Sequence, residues 1–138
     1  MKILILCTGN SCRSQMAHGF LQSFDDKINV VSAGTFPAEN INPTAVRVMA
    51  EAGIDISKNR PRSVDDFLNE EWDYVITVCD EANESCPFFL GKVKHRLHFG
   101  FTDPSKATGS EDFIMNEFHR VRDQIRETFY DFYKNNIL

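Results

Sequence analysis

The run KILILC, residues 2–7, followed by the polar stretch TGNSC and then RSQMAHGFLQSF, constrains this chain more than any other segment. A short, continuous apolar run reads as a strand buried on both faces, the kind found in parallel sheets. From Cys12 to Phe24, Met16, Phe20, Leu21 and Phe24 recur at helical spacing, so a helix follows the strand directly. The alternation continues. NVVSAG (29–34) reads as a second strand closed by Gly34, and residues 42–53 as a helix that starts at Asn42-Pro43 and stops at Gly53. SVDDFLNEE (63–71) reads as a short helix capped by Ser63, DYVITVC (73–79) as a third strand and KHRLHF (94–99) as a weaker fourth. In the tail, Met115, Phe118, Val121, Ile125, Phe129 and Phe132 fall at steps of three and four, an amphipathic helix. The expectation is an α/β fold, an open four-stranded parallel sheet flanked by helices, in one domain spanning 1–138.

Charge and composition narrow the function classes. The net charge is −5 with no basic block, which argues against nucleic acid or an anionic membrane as partner. No apolar run approaches a membrane span. MKILILC is too short for a secretory leader, and LILC fails as a lipoprotein signal for the same reason. A cytoplasmic location is expected, where thiols stay reduced. Four cysteines there, at 7, 12, 79 and 86, point to catalysis, redox chemistry or metal rather than structural disulfides.

Open parallel sheets bind ligands beyond the carboxyl ends of their strands. Cys7 and Cys79 each end a predicted strand, so one pocket can receive both. A loop entering a helix N-terminus aims its backbone N–H groups at one spot, and the helix dipole adds to them. Residues Thr8, Gly9, Asn10, Ser11 and Cys12 are therefore expected to cradle an anion, with Gly9 and Asn10 tolerating positive φ. Arg13 can grip two oxygens of a tetrahedral oxyanion through its planar fork. The dipole, Arg13 and the Ser14 hydroxyl would favour a thiolate at Cys7, the nucleophilic form. The bare C-x5-R spacing recurs by chance; the strand before it and the helix after it give it weight. No Gly-Lys-Ser/Thr is present, so this is not a nucleotide-binding P-loop.

Cys79 and Cys86 flank DEANES. They can be structural thiols, a redox pair, or part of a zinc site with Cys7, Cys12 and His95 or His98, although the spacings are unlike C-x2-C. Asp103, in TDP, is either a turn residue or a general acid on the pocket side of the fourth strand. The four histidines carry no pattern and read as surface or packing residues.

The stretch CTGNSCRSQMA closely resembles the oxyanion loop of the low-molecular-weight protein tyrosine phosphatase fold, and within it the thioredoxin-coupled arsenate reductases. The resemblance extends through VVSAG, INPTAVRVMAEAGIDIS, DYVITVCDEANESCP, HFGFTDP and FHRVRDQI. It implies Cys7 as nucleophile, Arg13 as oxyanion clamp, Ser14 as the hydroxyl steadying the thiolate, and a Cys12 thiol that is not required. It implies that Cys79 attacks the arsenic–cysteine adduct and that Cys86 resolves the product into a 79–86 disulfide for thioredoxin to reduce. Asp103 becomes the general acid. No cofactor or metal is implied by this chemistry. Arsenate is the expected substrate, phosphate or sulfate the competitors, and the chain is expected to act as a monomer. Some of these reductases bind potassium with acidic side chains beside the loop; here His18 and Arg62 occupy those places, and the Arg62 guanidinium is expected to supply positive charge near Asn10.

The alternative is a phosphatase acting on phosphotyrosine or small aryl phosphates, which also needs Cys7, Arg13 and Asp103. Phosphatases of this fold usually place paired tyrosines after the Asp-Pro, and here Ser105-Lys106 follow. They also have no need of Cys79 and Cys86. Residual phosphatase activity beside arsenate reduction is expected. A thiol-based sensor is the non-enzymatic alternative. DEANES follows a strand and is made of helix-compatible residues, which sets one geometric expectation. If DEANES is helical when reduced, a rise of ~1.5 Å per residue sets the two cysteine α-carbons about 10 Å apart, beyond the roughly 4.4–6.8 Å that a disulfide tolerates. The segment must unwind for the bond to close.

Overall fold

The computed structural model describes residues 1–138. Seven regular elements follow one another: β1 (Lys2–Cys7), α1 (Arg13–Phe24), β2 (Asn29–Gly34), α2 (Pro43–Glu51), β3 (Trp72–Thr77), β4 (Val93–His98) and α3 (Glu111–Asn136). Two 3₁₀ turns, Val64–Phe67 and Pro104–Lys106, sit in the connections. The sheet order is β2-β1-β3-β4 and every pairing is parallel. The chain moves outward from β1 on one side and then the other. The carboxyl end of β1 is therefore the topological switch point, the place where such sheets hold ligands.

The pleat of β1 divides the core. Ile3, Ile5 and Cys7 face a large cluster built with α1, α2 and α3, while Leu4 and Leu6 face a smaller one with Trp72, Val75 and Phe89. All three α-helices share the first face. The second is covered by the turn carrying Val64, Phe67 and Leu68 rather than by an α-helix. The stripe of α3 lies inward as its spacing requires: Phe118, Val121, Ile125, Phe129 and Phe132 are all buried, each contributing about 1.5–3 kcal/mol.

Local signals set most boundaries. Asn42 caps α2 by accepting from the N–H groups of Thr44 and Ala45, Pro43 occupies the first turn, and Gly53 beyond the end has φ 83°. Ser63 caps its turn through Asp65 N–H. The third strand is shorter than its sequence suggests, ending at Thr77. Val78 N–H still reaches the Leu6 carbonyl, but pairing with β4 stops at His98 and the chain turns away at Cys79. No helix is long and apolar enough to cross a membrane.

Candidate active site

Between β1 and α1 the chain is held from outside. Residues 35–42 run beside the loop and their N–H groups take its carbonyls: Phe36 to Thr8, Ala38 to Gly9 and Asn42 to Ser11, each at 2.8–2.9 Å. With the carbonyls turned outward, the N–H groups of Gly9 through Gln15 donate to no protein acceptor. They form an anion cradle at the start of a helix. Close approach of the two segments requires Gly34, where a β-carbon would collide with the Thr8 carbonyl.

Asn10 locks the curl. It takes φ 52°, the left-handed region, whereas Gly9 stays outside it. Its buried Oδ1 accepts from Arg62 N–H at 2.9 Å and Gln15 Nε2 at 3.1 Å, and its Nδ2 donates to Ser14 Oγ at 2.8 Å. Two expectations change here. The Ser14 oxygen serves Asn10, and no Ser14 bond to the Cys7 sulfur is formed. Arg62 reaches Asn10 through its backbone N–H, not its guanidinium. Behind the loop, His18 Nδ1 lies 2.9 Å from Ser32 Oγ. Burial, aided by the Arg62 charge, lowers His18 to about 4. The groove beside it is lined by Lys58, Arg60 and Arg62 and by no carboxylate.

Cys7, Arg13, Glu84, Cys86 and Asp103 all line one cleft of about 490 Å³, together with loop residues 8–12. Arg13 is its electrostatic centre. The guanidinium donates to both Glu84 oxygens, Nη1 to Oε2 at 2.7 Å and Nη2 to Oε1 at 2.9 Å, and Nη1 also reaches the Phe101 carbonyl. Asp103 Oδ2 lies 3.5 Å from Arg13 Nη2, while Asp103 Oδ1 accepts from the backbone N–H and hydroxyl of Ser105. Only Arg13 Nε is buried without a partner.

This charge balance governs the thiol. Burial raises Cys7 above the ordinary cysteine value; Arg13 and the Thr8 N–H lower it, and the Glu84 and Asp103 charges raise it further. Burial is the largest of these effects, and Glu84 and Asp103 add to it in the same direction, opposite to the lowering that the loop and Arg13 supply. Cys12 is also buried and free, its thiol raised by burial, the environment of an inert cysteine.

Cys79 and Cys86 form a disulfide with their α-carbons 5.7 Å apart. Within the bridged segment the backbone keeps one turn, the Asp80 carbonyl accepting from Asn83 and Glu84 N–H, with Asp80 Oδ1 and Oδ2 accepting from Ala82 N–H and Asn83 Nδ2. Residues 85–90 have no regular structure. The closed bond thus coincides with an unwound segment, as the helical spacing argument requires. Cys86 lines the cleft, whereas Cys79 is fully buried behind it, so the cleft meets the pair through Cys86 rather than at Cys79. His98 brings a ring nitrogen within 4.8 Å of both sulfurs, but sulfurs bonded to each other do not serve as thiolate ligands. Glu84 lay outside every site predicted from sequence, whereas His98 entered only as a possible ligand in the zinc alternative.

A model of the low molecular weight phosphotyrosine protein phosphatase family matches residues 2–136. The chain belongs to that family. Within it, the chain is 48% identical to an arsenate reductase of Bacillus licheniformis over 91% of its own length and 89% of the relative's. An arsenate reductase solved in a phosphate-binding state superposes with a TM-score of 0.81 at 30% identity, covering 97% of both chains. A thioredoxin-dependent arsenate reductase of Corynebacterium glutamicum superposes with a TM-score of 0.62 at 26% identity, over 98% of this chain and 63% of that one.

Proposed function

We infer that this member of the phosphatase family is an arsenate reductase. The observation that carries the reading is a closed Cys79–Cys86 disulfide abutting a cleft where Cys7 remains a free thiol beside Arg13. Hydrolysis of a phosphoester leaves no electrons to store. Reduction of arsenate requires two, and a disulfide records their loss.

The residues divide the chemistry as follows. The loop N–H groups and Arg13 hold arsenate. Cys7 forms a sulfur–arsenic bond as one arsenic–oxygen bond breaks, and the leaving oxygen takes a proton from Asp103 through Oδ2, departing as water. Cys79 attacks the Cys7 sulfur. The electron pair of the sulfur–arsenic bond leaves with arsenic, which departs as arsenite, and a Cys7–Cys79 disulfide remains. Cys86 then attacks Cys79, returning Cys7 and closing the 79–86 bond. The balance is arsenate plus two thiols giving arsenite, one disulfide and water. Ser14 Oγ accepts from Asn10 Nδ2 and so helps to hold the loop that carries Cys7.

Thioredoxin is the proposed reductant, supported by the Corynebacterium relative, and the cytoplasm is where such a cycle runs. Every group named comes from one chain, so the cycle needs no residue from a second subunit. Phosphate and sulfate compete for the same cradle. Because Cys7, Arg13 and Asp103 are also what phosphoester hydrolysis needs, weak aryl phosphatase activity accompanies reduction. The test measures arsenate-dependent oxidation of a thioredoxin system beside aryl phosphate hydrolysis. Arsenate turnover supports the reading; fast hydrolysis with no arsenate-dependent oxidation overturns it.

A further inference from the structure

Glu84 is an anion built into the oxyanion site. Its two oxygens take both Nη groups of Arg13, its side chain is 12% exposed and that of Arg13 only 4%. Thr8, the first loop residue, adds a long contact from Oγ1 to Glu84 Oε1 at 3.4 Å. The bidentate fork is the geometry in which arginine holds carboxylates and tetrahedral oxyanions alike. A dianion cannot share that fork with Glu84, because the two ligands need the same N–H groups and repel one another. The fit is also incomplete: Arg13 Nε–H is buried and unpartnered. A carboxylate has only two oxygens to offer, whereas a tetrahedral oxyanion has more.

What delivers Glu84 is the disulfide. It lies two residues before Cys86, and the bond holds the ends of its seven-residue span 5.7 Å apart. The single surviving turn, Glu84 N–H to the Asp80 carbonyl at 2.9 Å, orients the side chain into the cleft. In a helical, reduced segment the α-carbons of the cysteines would stand about 10 Å apart, so the segment carrying position 84 rearranges when the bond closes.

We propose that Glu84 is a redox-dependent specificity residue of the oxyanion site: closing the Cys79–Cys86 bond seats its carboxylate on Arg13 in place of the oxyanion, so the spent enzyme excludes arsenate and phosphate until it is reduced. The inference rests on the arsenate reductase reading for its place in the cycle, though its test does not use turnover. Product leaves, the arginine is covered by an internal ligand, and no new oxyanion engages Cys7 while its electron relay is exhausted. Lys106, which lines the same cleft, adds a second positive charge that favours the ionised carboxylate.

The test is a calorimetric titration of inorganic phosphate into four samples: the natural chain and Glu84→Gln, each fully reduced and each with the 79–86 bond closed. The natural chain should bind phosphate at least about tenfold more weakly when oxidised, the scale of one charge-assisted hydrogen bond. Glu84→Gln should close that gap to within about threefold by raising the affinity of the oxidised form, with a smaller effect on the reduced one. Glu84→Ala should behave alike. Equal phosphate affinity in both redox states of the natural chain would overturn the proposal. So would a gap that survives both substitutions, or a gain of the same size in both states, which would mark a general charge effect. Absence of arsenate turnover alongside an intact redox gap would sink the reductase reading and leave this one standing.

Discussion

Two loops meet at the cleft, and they are built in opposite ways. The loop from Cys7 to Arg13 is tied on every side: its carbonyls go to residues 35–42, the Asn10 amide is bonded to Ser14, Gln15 and Arg62, and α1 continues directly from it. The segment from Cys79 to Leu90 keeps one turn, places Phe88 and Leu90 in solvent, and is anchored by Phe89, the disulfide and the Glu84–Arg13 pair. A cradle for a fixed tetrahedral shape needs preorganised donors. A pair of cysteines that must alternate between free thiols and a bridge needs a segment that rearranges at low cost. The difference assigns recognition to one loop and electron transfer to the other.

Breaking the first loop should have the largest consequence. Cys7→Ser should lower both arsenate reduction and aryl phosphate hydrolysis by about ten-thousandfold, since both reactions start at that sulfur. Steady-state assays of the two reactions check this. Substantial activity in both would mean the cradle does not hold the nucleophile.

Breaking the second loop should separate the two reactions. Cys86→Ser should cut thioredoxin-coupled turnover by about a hundredfold or more while aryl phosphate hydrolysis stays within about threefold of the natural chain. Equal loss in both assays would make the pair structural.

The rigidity of the first region also has a pH signature. His18 is held neutral by burial and by Arg62, at about 4 against an ordinary value of 6.5. Between those values the unfolded chain binds more protons than the folded one. The stability that comes from keeping the ring neutral is present in full above pH 6.5 and is lost as the pH falls toward 4. With the ring partly open to solvent, the loss is about 2–3 kcal/mol. Chemical denaturation across that range should show it, and His18→Gln should flatten the slope. An unchanged slope would place the titration elsewhere.

Hydrogen exchange sharpens the contrast directly. Closing the 79–86 bond should reduce amide protection across residues 80–88 by about tenfold or more, while strands 2–7 and 73–78 keep theirs. Equal protection before and after oxidation would mean the segment does not unwind.

How much of this was legible from residues alone follows the distance over which each feature is decided. KILILC, NVVSAG, the Asn42 cap and the α3 stripe depend on neighbours along the chain, and the structure reproduces them. The cradle was legible because strand, polar turn and helix are adjacent in sequence. Glu84 was not, because its partner Arg13 is 71 residues away and nothing in DEANES distinguishes a carboxylate facing the cleft from one facing water. The Asn10–Ser14 bond was not legible either, because it depends on the left-handed turn at Asn10. The end of β3 at Thr77 rather than Cys79 depends on where β4 stops pairing, which the apolar run cannot reveal.

On this reading, Cys79 and Cys86 supply the two electrons that Cys7 delivers to arsenate. Fully reduced chain, mixed with one equivalent of arsenate and no external reductant, tests it by counting arsenite and mapping thiols. The expected result is one arsenite per chain, two thiols lost, a disulfide confined to 79–86, and Cys7 and Cys12 still open to alkylation after unfolding. No arsenite, or a disulfide that joins Cys7 to Cys12 and leaves 79 and 86 reduced, would contradict it.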